Sequence, residues 1–543
     1  MTGHDAPVGI VGAGPVGLAL ALRLSSLGVR SVILEQQPAL RKQGSKACLI
    51  QGDVLEVLDK FGCADPIAGE GVTWTVGRTY VRGEVIRTQV YDRPVGYGPF
   101  VNISQYRIEQ LLCRQAEADP MVSLLWGRTV EEARQDGTGT TVRVRTDSGD
   151  TRMTFGYLVA CDGVRSALRD LVGVEWTGYT HKDRFLITDI RAELPLARER
   201  HFHYDPPFNP GRQLVMHPQP GDVWRIDWQL PPDADITAEE SDGRLDRRIR
   251  AVIGDVPYEI DWWSTYRFHQ RVVDRFRVGR IFFAGDAAHA LPPYGSRGMN
   301  SGIQDADNLA WKLAAVLHGG SDEGLLDTYH EERHAAALEN LRVTEATIRF
   351  MVPPNRLRRW TRRALLALAP RVTSVRGKIN SGRMAEPYSY RESPLVTEPA
   401  SHPLVGAFAP DGHVRSGTGP GAPAGAPEER DRGRLRRLLG EGFVVLHFPL
   451  GQEPEPFAKA AAHLPVRVRA VLPTGHEDAG RETVVDDDGG AVHAAYGVSG
   501  PCWFLVRPDG HIAATGPAAD PVRAADRLAA ALATASATAR RTG

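Results

Sequence analysis

The sequence predicts an α/β fold of more than one domain, and three observations carry that prediction. A short apolar run without alternation, Val8-Gly9-Ile10-Val11, passes straight into Gly12-Ala13-Gly14-Pro15-Val16-Gly17 and a helical stretch, Leu18 to Leu24. A second such run, Arg280 to Ala284, leads into Gly285-Asp286 and a strong helical pattern from Ile303 to Leu317. Between them, from Phe185 to Phe268, the helical period disappears and aromatic, strand-like runs take over. Unalternating apolar runs mark strands buried on both faces, so an α/β framework interrupted by a β-rich layer follows.

The opening stretch has separable parts. Gly12 permits the tight turn, Gly14 lets backbone approach a pyrophosphate, and Gly17 lets the helix lie close on the sheet. The helix N-terminus then aims its N–H groups at the anion. A second apolar run, Ser31 to Leu34, closes with Glu35, eighteen positions beyond Gly17. A carboxylate there accepts hydrogen bonds from ribose hydroxyls. Strand, helix, strand and acid in that order predict a Rossmann-like dinucleotide site.

A polar segment follows from Gln36 to Ser45, and Arg41, Lys42 and Lys46 form a basic cluster beside the turn. Such charges suit either a solvated loop or a pyrophosphate. Val54, Leu55, Val57, Leu58 and Phe61 stripe a helix ended by Gly62. Residues 72–100 read as strands, Ser104 caps a helix through Leu112, and 122–159 read as a meander. Cys161-Asp162-Gly163-Val164-Arg165-Ser166 is an acidic turn entering another helix.

In Trp224 to Leu230 the period of two puts Arg225, Asp227 and Gln229 on one face, and Trp224, Ile226, Trp228 and Leu230 on the other. The polar face meets solvent or, if this sheet roofs a pocket, lines an active site. Asp286, at a strand's C-terminal end, faces the crevice where open α/β sheets bind ligands. Gly298 to Gly302 offers free backbone N–H groups and a positive dipole end. His289 reads as a packed or hydrogen-bonded structural histidine, with a catalytic base as the alternative. Helical pattern runs from Ser321 to Leu368 with a break at Pro353-Pro354, and Ala407 to Glu428 reads as a linker. The tail, with strand-like runs at 443–448, 466–471 and 503–506 and an Ala-rich final helix, makes a small third domain.

A chain of 543 residues exceeds what one core serves. Its net charge of −1 gives no electrostatic reason for a nucleic-acid or anionic-membrane partner. The five scattered cysteines form no C-x-x-C pair, which argues against a disulfide framework, a zinc site or a dithiol centre. Neither a signal peptide nor a membrane-length apolar run is evident, so a cytoplasmic location is expected.

These pieces together resemble the single-component FAD-dependent aromatic hydroxylases (class A flavoprotein monooxygenases), in the branch of 3-(3-hydroxyphenyl)propionate, phenol-type and polyketide hydroxylases. The likeness rests on Gly12-x-Gly14-x-x-Gly17 with Glu35, on Cys161 to Ser166, and on Gly285-Asp286-Ala287-Ala288-His289 with Pro293 and Gly298-Met299-Asn300-Ser301-Gly302. It implies a Rossmann-like FAD-binding domain (1–180, with strands 72–100 joining the substrate sheet, and 271–400 with the long helices). It further implies an inserted β-sheet substrate domain (181–270) and a thioredoxin-like C-terminal domain (401–543) without a redox pair.

By the same resemblance Gly12, Ala13, Gly14, Pro15, Val16 and Gly17 cradle the FAD pyrophosphate, with Glu35 and Gln36 at the ribose. Lys46, Gln105, Val130, Asp162, Gly163, Gly285, Asp286, Pro293, Gly298, Met299 and Asn300 complete the cofactor site. Lys46 stands where many relatives carry Arg, and Gly295-Ser296-Arg297-Gly298 replaces the commoner G-Q-G context. The implied reaction hydroxylates a small-molecule aromatic substrate with NAD(P)H and O₂ through a flavin C4a-hydroperoxide. Asp227 is the candidate base or orienter, Arg225 a flavin-facing gate, and Trp228 and Tyr294 candidate substrate contacts. Epoxidation or Baeyer–Villiger insertion on a polyketide-like substrate, and a non-catalytic flavin-binding protein, are the alternatives. The sequence neither requires nor excludes a homo-oligomer.

Overall fold

The fold comes from a computed structural model, which describes residues 6–41, 47–93, 95–353, 355–369, 371–376, 379, 384, 386–397, 402–416, 432–476 and 482–536. Strand β1 (Val8–Val11) is buried along its length. It passes through the glycine turn into helix α1 (Pro15–Ser26), which has proline in its first turn, where the missing N–H costs nothing. The chain returns as β2 (Ser31–Glu35), parallel to β1. Among the described residues the sheet has the order Arg277–Val278, Ile281–Phe283, Tyr157–Ala160, β1, β2, Val122–Trp126. Only its Arg277–Val278 edge is antiparallel. Helix α1 is buried from Gly17 to Leu24, as expected for a helix apolar all round.

Strand β3 (Leu49–Gln51) belongs to a three-stranded sheet with Val72–Trp74 and Phe100–Asn102. The β-rich layer is built on β4 (Arg184–Arg191), β5 (Arg200–Tyr204), β6 (Gln213–Pro218), β7 (Val223–Leu230) and β8 (Glu259–Tyr266). Its order is β8-β4-β7-β6-β5, and Val76–Val81 then Glu84–Val90 extend it beyond β5. The Val76–Val81 strand is parallel to β5, and the other pairs are antiparallel. One face carries Leu186, Trp224, Ile226 and Trp228 into a core with Leu245 and Ile249 of the helix Arg244–Ile253. The opposite face also turns inward. Arg225 is fully buried, so solvation of the polar side, one of the two expected outcomes, does not occur.

Helix α2 (Arg297–Leu317) packs along α1 and is followed by α3 (Asp327–Met351). The chain breaks before α4 (Arg356–Leu368), where Pro353 cannot continue the α3 hydrogen-bond ladder. Among the described residues the C-terminal part holds a mixed seven-stranded sheet in the order Arg432–Arg434, His413–Ser416, Thr483–Asp486, Arg467–Leu472, Val444–Phe448, Cys502–Val506, Ile512–Pro517. The helices Glu455–Ala461 and Pro521–Ser536 share a core with its central strands. Most of the expected 407–428 linker, from 417 onward, lies outside the described residues. Among those described, no helix is long and apolar enough to cross a membrane.

Candidate active site

The glycine turn is shaped by contacts that leave no room for side chains. Gly12 has φ +106, and a Cβ there would lie 2.5 Å from the Cys161 carbonyl oxygen. A Cβ on Gly17 would overlap the Gly12 carbonyl oxygen, so only glycine lets α1 start this close to the turn. Gly14 differs: a Cβ there would meet nothing within 4 Å. It faces open space at the α1 N-terminus, where Gly14, as the N-cap residue, has no side chain to cap the first-turn N–H groups. Such donors beside the open space at Gly14 bound a candidate groove and suit a pyrophosphate. Glu35 closes one end of the groove: its Oε2 accepts the Ala13 N–H at 2.9 Å and its Oε1 the Gln37 N–H at 2.8 Å. Gln36 beside it is exposed, and Val130 is buried in the strand Thr129–Gln135 of a separate three-stranded sheet.

Across the turn, Asp162 Oδ2 accepts the Leu168 N–H at 3.2 Å, whereas Oδ1 is buried without a partner among the described residues. Burial pushes its carboxyl above the usual range. Gly163 follows with φ +77 and open space around it. Gly285 has φ +59, and its missing side chain gives room to Val16; Gly302 makes the same allowance from α2. Asp286 is exposed and leans over the first turn of α2, with Oδ1 3.9 Å from where a Gly298 Cβ would stand. Pro293 is exposed and Met299 sits in the core.

Asn300 works as a clamp. Its Oδ1 accepts the Gln51 N–H at 2.9 Å, and its Nδ2 donates to the carbonyls of Leu49 at 3.1 Å and Ser296 at 2.7 Å. These bonds fix β3 against the α2 N-terminus. Gln105 is tied to Ala47 (3.3 Å) and Glu109 (2.8 Å). Lys46 lies outside the described residues. His289 is structural, as its sequence context suggested: Nε2 bonds Asp305 at 2.7 Å, and Asp305 also accepts the Gly285 N–H at 3.0 Å. Burial opposes the Asp305 charge, but His289 and Arg333 overcome it and hold the carboxyl below its ordinary range.

Beyond β3 lies the inward face of the five-stranded unit. Register puts Asp189 opposite Arg225 and Ile187 opposite Asp227. His217 stands opposite Arg225 on the other side, and Trp262 opposite Asp189. Arg225 donates Nε to Asp189 Oδ1 at 2.7 Å and Nη2 to Oδ2 at 2.8 Å. Asp227 keeps an open surface, unlike its neighbours Arg225 and Gln229. Its Oδ1 has no partner among the described residues, and burial pushes its pKa up to about 7 against the pull of Arg225. Burial, with Arg200 and Arg225 nearby, keeps the His217 imidazole well below its ordinary pKa. The Tyr266 hydroxyl is pushed up by burial and by Asp227 and Tyr294 beside it.

The other end of this face is aromatic. Tyr294 lies against Phe185 (6.2 Å between centroids) and Phe268 (5.8 Å), and Gln213 Nε2 donates to its hydroxyl at 2.8 Å. Tyr204 and Phe202 continue the cluster towards α3 and α4. Charge therefore gathers near β3 and apolar surface near α4.

The structure brings Asp227, Arg225 and Tyr294 onto one face, and corrects two expectations. Trp228 is not with them, because the strand period turns it into the core beneath the 244–253 helix. Arg225 cannot act as a swinging gate, since both prongs of its guanidinium are held by a buried carboxylate. Asp189, Arg200, Tyr266 and Cys48 were missed. The period of two in β4 could have placed Asp189 on an inward face, but nothing in the sequence pairs β4 with β7.

A family profile described as FAD binding domain matches residues 5–344. The 3-(3-hydroxy-phenyl)propionate/3-hydroxycinnamic acid hydroxylase of Mycobacterium sp. (strain JLS) is 30% identical over 537 residues, covering 94% of this chain and 89% of the relative. The chain belongs to the FAD-dependent aromatic hydroxylases. This hydroxylase is also 30% identical to the 6-methylpretetramide 4-monooxygenase of Streptomyces rimosus, over 93% of its own length and 90% of the relative's. The crystal structure of aklavinone-11 hydroxylase in a ternary complex with FAD and aklavinone matches it with a TM-score of 0.74 at 26% identity, covering 99% of this chain and 100% of that one. FAD is the cofactor of this hydroxylase. The open space at Gly14, the uncapped α1 N-terminus and the unpaired Asp162 oxygen fit that group.

Replacing Glu35 by Gln puts an NH₂ group against one of two N–H donors. A hydrogen bond to a charged acceptor contributes about 1.5–3 kcal/mol, so FAD retention is expected to weaken roughly tenfold or more. Fluorescence titration of the apoprotein with FAD measures this, and an unchanged dissociation constant would remove Glu35 from the site.

Proposed function

We propose that this hydroxylase oxidises an electron-rich aromatic ring, phenolic or polyketide-type, using NAD(P)H and O₂, with Asp227 as the base. The observation that carries this reading is a carboxyl on the inward face, open on one side, with its pKa at about 7. A general base works best with its pKa near the operating pH. When bound, FAD would carry electrons from NAD(P)H to O₂ and so activate one oxygen atom of O₂ for transfer to the ring. The chain's own residues supply the rest.

The groove from Gly12 to Gly17, with Glu35, Gln36, Asp162, Gly163, Gly285, Asp286 and the Gly298-to-Asn300 turn, holds the cofactor. Gln105, Val130 and Pro293 border it. The Asp227 carboxylate takes the proton of a substrate hydroxyl as oxygen is transferred, which raises the ring's nucleophilicity. Arg225 and Arg200 act on Asp227 from two strands, and the same cations stabilise the oxygen left behind as its proton departs. Transfer of a proton within the pocket leaves its total charge unchanged, so no charge is created in a dry site. Tyr266 stays protonated and donates to the substrate oxygen. The aromatic end, with Tyr294 and Phe185, receives the body of the ring system.

In this reading residues 1–180 and 271–400 form the FAD-binding domain and 181–270 the substrate domain. Residues 401–543 form a thioredoxin-like domain that lacks a dithiol. Oxidation of NAD(P)H by the FAD-loaded enzyme, screened across phenols and polyketides with NMR of the product, tests the proposal. Substrate-stimulated oxidation with a new ring hydroxyl supports it; no stimulation across the whole panel refutes it.

A further inference from the structure

The buried Arg225–Asp189 pair calls for an explanation. Both side chains are almost wholly buried, at 0% and 5% exposure. Removing two charges from water costs about what their attraction returns, so a well-packed apolar pair would serve stability equally well. The pair is nonetheless built with care. Asp189 lies directly opposite Arg225 in the β4–β7 register and accepts two parallel bonds from it. Its Oδ2 also accepts the Trp262 Nε1–H at 2.7 Å from β8, where a register shift falls just after Asp189. The Arg225 guanidinium lies 5.3 Å from the centre of the same Trp262 ring. Asp189 and Trp262 thus hold the cation from two strands in one orientation, two residues along β7 from Asp227.

We infer that Asp189 is a positioning residue: it fixes the Arg225 guanidinium beside Asp227 and thereby sets how readily Asp227 accepts a proton. The inference rests on the reading of Asp227 as the base and names the group that tunes it. A cation free to rotate would approach Asp227 closely and keep it ionised. A cation held in a fork by a second carboxylate is partly neutralised, and Asp189 adds its own repulsion. The other groups acting on Asp227 are Arg200 from β5, Tyr266 from β8, and Cys48 just ahead of β3. All three remain in the variants below.

Infrared difference titration of the FAD-loaded protein tests this without substrate, by following the protonated-carboxyl band that Asp227→Asn lacks. The wild-type band is expected to disappear with a midpoint near pH 7. Asp189→Asn removes a negative neighbour and frees Arg225, so the midpoint should fall by about one pH unit or more. Arg225→Lys keeps the charge but cannot form the fork; its ammonium settles on Asp189, and the midpoint should rise. The second variant decides the matter should Asp189→Asn fail to retain flavin. Midpoints that stay at the wild-type value overturn the inference. The acid limb of the pH–rate profile separates the two readings. If the band moves while the limb does not, Asp227 is not the base, but the positioning by Asp189 stands.

Discussion

Asp227→Asn is expected to lower kcat by about 10²- to 10⁴-fold, the usual contribution of a positioned base, with FAD content unchanged. The substitution keeps the shape of the side chain and removes its capacity to take a proton. Asp227 lies on the inward sheet face rather than in the glycine groove, so cofactor retention does not depend on it. In the wild type, turnover should fall as the pH drops below about 7, because the base is then protonated before substrate arrives. The variant should lack that limb. Steady-state rates on the best phenolic substrate between pH 5.5 and about 9 measure both effects. A variant that turns over like wild type with the same acid limb would remove Asp227 from the chemistry.

The second large effect concerns how the C-terminal part is held. Arg507 donates to Glu332 of α3 through Nη1 at 2.5 Å and Nη2 at 2.8 Å, and to Asp509 beside it. Lys312 and Asn308 of α2 also donate to Glu332, each at 2.7 Å. Arg23 of α1 reaches the Pro508 carbonyl at 3.2 Å and the Gly440 carbonyl at 2.6 Å. Arg507→Ala leaves two buried carboxylates short of a cation, a defect that costs about 3–5 kcal/mol. Chemical denaturation should show the loss, and limited proteolysis should release the C-terminal part from the variant first.

The sign of the pH dependence follows from the same network. Burial opposes the charge on Glu332, but Arg507 and Lys312 overcome it and hold the carboxyl far below its unfolded value. Asp509 is held down in the same way by Arg507 and His511. A depressed carboxyl contributes stability that is complete above the unfolded pKa of about 4 and fades as the pH falls towards the folded value. Wild-type protein should therefore weaken in acid. Arg507→Ala should be weaker at neutral pH and show a shallower acid loss. Equal stability of the two proteins at pH 7 would contradict this.

Much of the site was legible because its rules are local. The three glycines in the opening turn differ in ways that chain geometry dictates: a positive φ at Gly12, open space at Gly14 and a close approach at Gly17. The period of two in β7 likewise separates Asp227 from Trp228. The aromatic character of Trp228 suggests a substrate contact, whereas its parity along the strand puts it in the core. The gating role for Arg225 failed for another reason. Its partner Asp189 lies 36 residues earlier, and only sheet register brings them together. The Arg507–Glu332 contact, 175 residues apart, was hidden in the same way. Arg507-Pro508-Asp509-Gly510 reads as an ordinary turn, and its charges acquire meaning only against α3.

The role of Asp227 depends on where a substrate hydroxyl binds. A crystal structure of the FAD-loaded enzyme with a phenolic ligand should place that hydroxyl within hydrogen-bonding distance of Asp227, with the rings directed towards Tyr294 and Phe185. A ligand bound the other way round, its hydroxyl among the aromatics and Asp227 facing only apolar carbon, would contradict it.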